Sequence, residues 1–269
     1  MKRILSALTL AAAAFVLHGV SVAQPPAPFE EGEILTYEGK VSKIIQGIAV
    51  ADLTFEVDRA ADRDFLIKAE AKSKGTLLKL FRFSFLQKFE STIDDKNFRV
   101  IRTVKQDIQK DRVRDSEALF DYGDKRVTWT ETDPKDPMRP PRKIASEIEG
   151  TTHDLISGVY SLRMLPLAVG KTFNLKISDS GLVYSVPVKV TGRELQKTEI
   201  GRVMCFRVEP QVFGPGRLVE SDGKMVIWIT DDARRIPVRS QVNASVGKIE
   251  IKIKSVSTKR DNTQTAKKN

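Results

Sequence analysis

Few side chains in this 269-residue chain could do acid–base, nucleophilic or metal chemistry: it carries two histidines and one cysteine. His18 falls just past the apolar run of an N-terminal targeting segment, which leaves His153 as the histidine of a folded domain. A hydrolytic triad needs a nucleophile, a base and an orienting acid in line. Asp154 follows His153, but residues i and i+1 of a helix point in different directions, so His153 reads as a helix-start residue rather than a base. No Gly-x-Ser-x-Gly elbow and no His-Glu-x-x-His pair occurs. A single cysteine rules out an intramolecular disulfide framework and any cysteine-built zinc or iron–sulfur site. Cys205, in the apolar run Val203-Met204-Cys205-Phe206, reads as a buried, inert thiol. Asp231-Asp232, with Glu220 and Asp222 nearby, would suit calcium only within a larger set of oxygens. Because Arg234 and Arg235 follow at once, the pair reads as a turn whose carboxylates meet arginines. The sequence predicts no metal, no cofactor and no catalytic residues. An enzymatic role would have to rest on carboxylates whose spacing is spatial.

Binding chemistry has a stronger signal. Leu77, Leu78, Leu80, Phe81, Phe83, Phe85, Leu86 and Phe89 crowd into one short segment. That is more apolar surface than one half-buried strand needs. Its start suits a short amphipathic helix and its end alternates like a strand, where period two places Phe81, Phe83, Phe85 and Phe89 on one face. The expected site is an apolar cavity able to take an acyl chain, lined by Leu77, Leu80, Phe81, Phe83, Phe85 and Phe89 together with Leu155, Val159 and Tyr160. The plainer alternative is that the segment packs on the sheet beside a helix.

The elements that must position these residues are mostly strands. Period-two alternation runs through Leu53–Val57, Phe65–Ala71, Phe98–Val104, Val127–Trp129, Val186–Val190, Val203–Val208, Val226–Trp228, Ile236–Val242 and Ile249–Ile253. Turn signals such as Asp94-Asp95-Lys96-Asn97 and Asp179-Ser180-Gly181 separate them. Trp228 should face a core, with Asp231-Asp232 turning the chain into Ile236-Pro237-Val238 and Pro237 left unpaired on one side. Thr151 to Met164 predicts the one clear helix, N-capped by Thr151 or Thr152, buried on its Leu155, Val159 and Leu162 face and ended by Pro166. The proline-rich Thr132–Arg142 stretch should divide the chain into two halves. The expected fold class is mainly β: a large curved antiparallel sheet, an open or half barrel, with one central helix.

Lys2 and Arg3, the apolar run Ile4–Leu17 and Ser21-Val22-Ala23 make a secretory signal cleaved after Ala23. The expected organisation is a signal peptide at 1–23, a single β-rich domain at 24–258 and a disordered polar tail at 259–269, with no transmembrane span in the mature chain. Losing Lys2 and Arg3 lowers the formal charge from +10 to +8. A basic exported protein suits anionic envelope surfaces as partners. Nucleic acid is not expected, because the basic residues lack interleaved aromatic platforms.

Three segments carry a resemblance. They are Phe29-x-x-Gly32-Glu33-x-Leu35-x-Tyr37, then Asp154 to Arg163 followed by Pro166-Leu167 and Gly170, and Trp228 to Val238 before Gly247. Together they resemble the bacterial exported domain-of-unknown-function family 3108 over about residues 29–255. The resemblance implies an exported, β-rich envelope protein and carries no catalytic residues. Its layout is similar to the half-barrels of the periplasmic lipoprotein carriers, an analogy of fold alone. The expected function is a periplasmic, non-enzymatic binding or carrier protein for a lipid or other apolar envelope molecule. The alternatives are a scaffolding partner of an envelope complex and an envelope enzyme using carboxylates.

Overall fold

Alternation of apolar and polar residues becomes strand after strand in the computed structural model, which describes residues 27–42, 47–60, 64–244, 247–259 and 261. The signal segment at 1–23 and all but two residues of the polar tail lie outside the described residues. A first arm comprises β1 (Glu33–Ser42), β2 (Ile48–Arg59), β3 (Phe65–Ser73), helix α1 (Gly75–Phe81), β4 (Phe85–Ile93), β5 (Val100–Gln109), β6 (Arg112–Asp121), β7 (Arg126–Thr132) and β8 (Arg142–Glu147). The short β9 (Thr152–His153) and helix α2 (Leu155–Met164) follow. A second arm comprises β10 (Thr172–Asp179), β11 (Leu182–Thr198), β12 (Gly201–Pro210), β13 (Gly223–Thr230), β14 (Pro237–Ala244) and β15 (Gly247–Thr258).

These strands form one open curved sheet, ordered β8-β7-β6-β5-β4-β3-β2-β1-β15-β14-β13-β12-β11-β10-β9. The first and last long strands pair at its centre, from Glu33↔Thr258 to Ser42↔Lys248. Each arm is therefore a meander built outward from one shared seam. The expected curved antiparallel sheet with a central helix is the fold found.

Helix α2 lies on one face and separates two apolar clusters. Phe65, Ile67, Ile93, Val100, Phe120, Val127 and Trp129 of the first arm bury Ile156 and Tyr160. Ile177, Val186, Val188, Phe206, Val208, Ile227 and Ile229 of the second arm gather around Leu162. The helix starts at Asp154, not at Thr151 or Thr152, because β9 holds Thr152 and His153 extended against Lys176 and Ile177 of β10. The Asp154 carboxylate accepts from the backbone N–H of Ile156 (3.0 Å) and Ser157 (2.7 Å), and Ser157 Oγ accepts from Asp154 N–H, a reciprocal capping box. Its other oxygen accepts from Ser91 Oγ on β4 and Thr103 Oγ1 on β5, both at 2.6 Å. One carboxylate thus starts the helix and ties it to the first arm.

Three expectations need correction. The buried face of α2 includes Ile156, Tyr160 and Leu162, while Leu155 and Val159 are only half-buried. The Phe81–Phe89 stretch is not one strand: α1 closes at Phe81, Arg82 takes the left-handed φ of 53°, and β4 begins at Phe85. The proline-rich stretch does not divide the molecule, because β8 returns beyond it to pair with β7. The division comes at β9 and α2.

Trp228 sits on β13, on the opposite sheet face from Ile227, and donates through Nε1 to Glu194 Oε2 at 2.9 Å. Asp231 and Asp232 make the following turn, where Asp232 accepts from Arg234 N and Arg235 N and Asp231 pairs with Arg193 and Arg235. Pro237 pairs with Ile229, and β14 meets β15 only from Arg239, so the missing proline N–H costs no ladder bond.

The outer ends of the two arms approach at the β10–β11 hairpin. Ser180 (φ 50°) and Gly181 (φ 81°) form its two-residue turn. A Cβ on Gly181 would lie 2.9 Å from Ile144 O and from the Cβ atoms of Ile144 and Trp129. The turn touches the first arm only because glycine occupies it.

Candidate functional site

The second arm does not close on α2 as the first does. Gly158 faces β10 so closely that a Cβ there would meet Ile177 Cδ1 at 2.8 Å. Beyond that contact a chamber of about 370 Å³ opens. Leu155, Val159 and Leu162 form its helix side, and Val186, Val188, Met225 and Ile227 line its sheet side. Phe213, Leu218 and Val219 of the β12–β13 loop complete the wall, with Phe213 seated over Gly223. Val159, Met225 and Ile227 also line a second, smaller pocket of about 120 Å³, nearer the central seam, whose wall includes Leu35, Tyr37, Phe55, Tyr160, Arg163 and Ser240. The larger volume is in the range of small-molecule sites, and its lining is of the apolar kind such sites use.

The smaller pocket abuts a buried ion pair. Arg163 on α2 donates from two nitrogens to the two Glu33 oxygens, at 2.6 and 2.8 Å, and to the carbonyls of Pro28 and Arg234. A buried guanidinium needs this full set of acceptors. It also lies over the Phe29 and Tyr160 rings, with its carbon 5.1 and 5.2 Å from their centroids. Burial pushes the hydroxyl pKa values of Tyr37 and Tyr160 well up, so both stay neutral donors and acceptors.

The expected site residues divide between places. Leu155, Val159 and Tyr160 come together along the chamber and the smaller pocket. Phe89, with Leu155, lines a small recess on the first-arm side of the helix. Leu77 and Leu80 lie on α1 at the far end of β3 and β4, Leu80 59% exposed. Phe83 packs against Phe85, ring centroids 6.2 Å apart, and Phe85 borders a surface groove with Leu78. Phe81 closes α1, and its side chain lies outside the described ones. The residues not anticipated are the sheet wall at Val186, Val188, Met225 and Ile227 and the polar rim at Tyr37 and Ser240. A usable signal was Gly158, a glycine inside a helix, where it costs about 1 kcal/mol relative to alanine and marks a close approach.

His153 is buried, and burial lowers its pKa to about 4 despite the neighbouring Asp154. It sits beside Phe98, with ring centroids 6.1 Å apart, as a neutral packing residue. Burial raises the Cys205 thiol to about 12, with Asp232, Asp231 and Glu194 adding to the effect.

An open, curved β-sheet holding a helix against one face, with an apolar chamber beside that helix, defines a β-barrel-like protein. The chain belongs to the family of proteins of unknown function DUF3108, which it matches over residues 35–254. Among solved structures it is similar to a β-barrel-like protein of domain-of-unknown-function family DUF1849 from Brucella abortus, at 9% identity and a TM-score of 0.58, covering 84% of this chain and 97% of that one. That likeness is one of fold. A Bacteroides fragilis protein with a YmcC-like fold aligns over 86% of this chain and 98% of its own, at 12% identity and a TM-score of 0.34, too low to bear on the fold. No curated protein matches the sequence. No described helix is long and apolar enough to cross a membrane.

Proposed function

We propose that the protein is an exported, non-enzymatic binder or carrier of a lipid or similar apolar molecule of the cell envelope. The observation that carries this reading is the chamber beside α2, walled by Leu155, Val159, Leu162, Val186, Val188, Met225 and Ile227. Its half-buried members Leu155, Val159 and Met225 forgo dispersion contacts that Ile156 makes on the other side of the helix. A hydrocarbon ligand would restore them. Export rests on the Lys2–Ala23 segment, which has the charge, apolar run and small residues of a cleaved signal. The periplasm is the compartment this implies, with residues 24–258 as one β-rich domain.

A carrier must also meet the surfaces it serves. Residues 71–89 hold Lys72, Lys74, Lys79, Arg82 and Lys88 and no acidic residue. On α1 within that stretch, Leu78 and Leu80 are 50% and 59% exposed. Exposed leucines flanked by cations suit an anionic lipid surface, which would give the α1 end the role of the docking rim.

Native mass spectrometry of the mature protein, followed by organic extraction, tests the central claim. Co-purifying lipid in stoichiometric amount supports it. A ligand-free protein that also fails to bind an apolar fluorescent dye would remove it and favour a scaffolding role.

A further inference from the structure

The smaller pocket differs from the chamber in one respect: it has hydroxyls without ordinary hydrogen bonds. Tyr160 is 1% exposed, and its hydroxyl makes no hydrogen bond of ordinary geometry, with only the already bonded Arg163 guanidinium beside it; Ser240 Oγ is buried and unpartnered. Both residues line the pocket, and Tyr37 adds a second phenol to the wall. Buried polar groups are nearly always satisfied, so two exceptions in one small pocket call for a cause. Tyr160 is held in place, its ring edge-on to Phe29 at 5.0 Å and 90° and covered by the Arg163 guanidinium.

We infer that this pocket receives the uncharged oxygen of an amphiphile, an alcohol or an ester, through the Tyr160 and Ser240 hydroxyls, while the hydrocarbon chain runs past Val159 and Met225 into the larger chamber. The inference rests on the apolar-ligand reading above and narrows it. Two features select for a neutral head. Two cations line the pocket, and each already holds a carboxylate: Arg163 both oxygens of Glu33, and Arg239 that of Glu250. An entering carboxylate would therefore be buried without a free counter-charge and next to an existing carboxylate. The hydroxyls, by contrast, can donate to a carbonyl oxygen or accept from an alcohol, and so serve either form of the same neutral oxygen chemistry.

The test uses the mature protein and the apolar dye N-phenylnaphthylamine, displaced by dodecanol or by dodecanoate at about pH 8, where free carboxylate is ionised. Dodecanol should displace the dye at roughly tenfold lower concentration. The double variant Tyr160→Phe, Ser240→Ala should lose that preference, the two ligands then displacing the dye at similar concentrations. It should also melt within a few degrees of the parent, because Ser240 Oγ is unpartnered and Arg163, beside the Tyr160 hydroxyl, keeps its Glu33, Pro28 and Arg234 acceptors. Equal displacement by the two ligands, or a preference that survives the double variant, overturns the inference and leaves the binder reading intact. Failure of the wild-type protein to bind the dye at all overturns both.

Discussion

The two arms of the sheet present similar apolar strands to one helix and end in different states. Against the first arm α2 is closely packed: Ile156 and one side of Tyr160 sit among Phe29, Phe65 and Phe98, Asp154 is bonded to Ser91 and Thr103, and the recess left beside Leu155 is about 40 Å³. Against the second arm the same helix touches β10 at Gly158 and leaves Leu155 and Val159 half-covered over a chamber. The first arm fixes the helix in place and gives the second a rigid wall to leave empty. Core and cavity are thus set by which helix positions carry large side chains and by where the carboxylate tie lies, not by any difference in strand hydrophobicity.

The comparison is sharpest where the helix is anchored. Replacing Glu33 by Ala leaves Arg163 buried without its carboxylate and should destabilise the fold by about 3–5 kcal/mol, read by urea denaturation. A loss below about 1 kcal/mol would mean that the pair is solvated and does not set the helix position. On the closely packed side, Ile156→Ala should cost about 2–5 kcal/mol. On the open side, Val159→Ala should cost about 1 kcal/mol or less, because its methyl groups already border space. Equal costs at 156 and 159 would abolish the distinction between the arms. Val159→Trp sharpens it further: by reaching into chamber and pocket alike it should abolish dye binding while leaving the melting temperature within a few degrees of the parent.

Protonation gives an independent reading of the closely packed side. The folded pKa of His153, about 4, lies below its ordinary 6.5, so the unfolded chain binds the extra proton. The stability that this contributes is complete above about pH 6.5 and is lost as pH falls toward 4. His153→Leu should flatten that part of the pH–stability curve, and an unchanged slope would show that the imidazole is solvated. The smallest effect expected is at Cys205: its thiol should resist a thiol-reactive chromogen in the folded protein at neutral pH and react once unfolded.

Much of this fold was legible in the sequence because half-buried strands write their pattern locally. The Trp228 hairpin, with its Asp231-Asp232 turn and one-sided Pro237, follows from alternation and turn chemistry alone. The α2 segment was legible as a helix, but its cap was not, since Thr152 is diverted by a pairing with β10 that no local pattern announces. The site was legible in Leu155, Val159 and Tyr160 and obscure elsewhere. Leu77 to Phe85 drew notice by density of aromatic and aliphatic residues, yet α1 carries Leu78 and Leu80 out to solvent. The chamber wall on β11 and β13 looks like any buried strand face. Whether such a face is packed or bare depends on the distance to the helix opposite, which is a property of the tertiary fold.

Gly181 gives the curved sheet a clasp. The outer ends of the two arms touch there by van der Waals contact with Ile144 and Trp129, while the backbone ladder runs unbroken along the other route, through the β1–β15 pair. That contact joins the outer ends without a further hydrogen-bonded strand pair, beside the short covalent link from β8 to β9 and the bond from the Tyr122 hydroxyl to the Thr152 carbonyl.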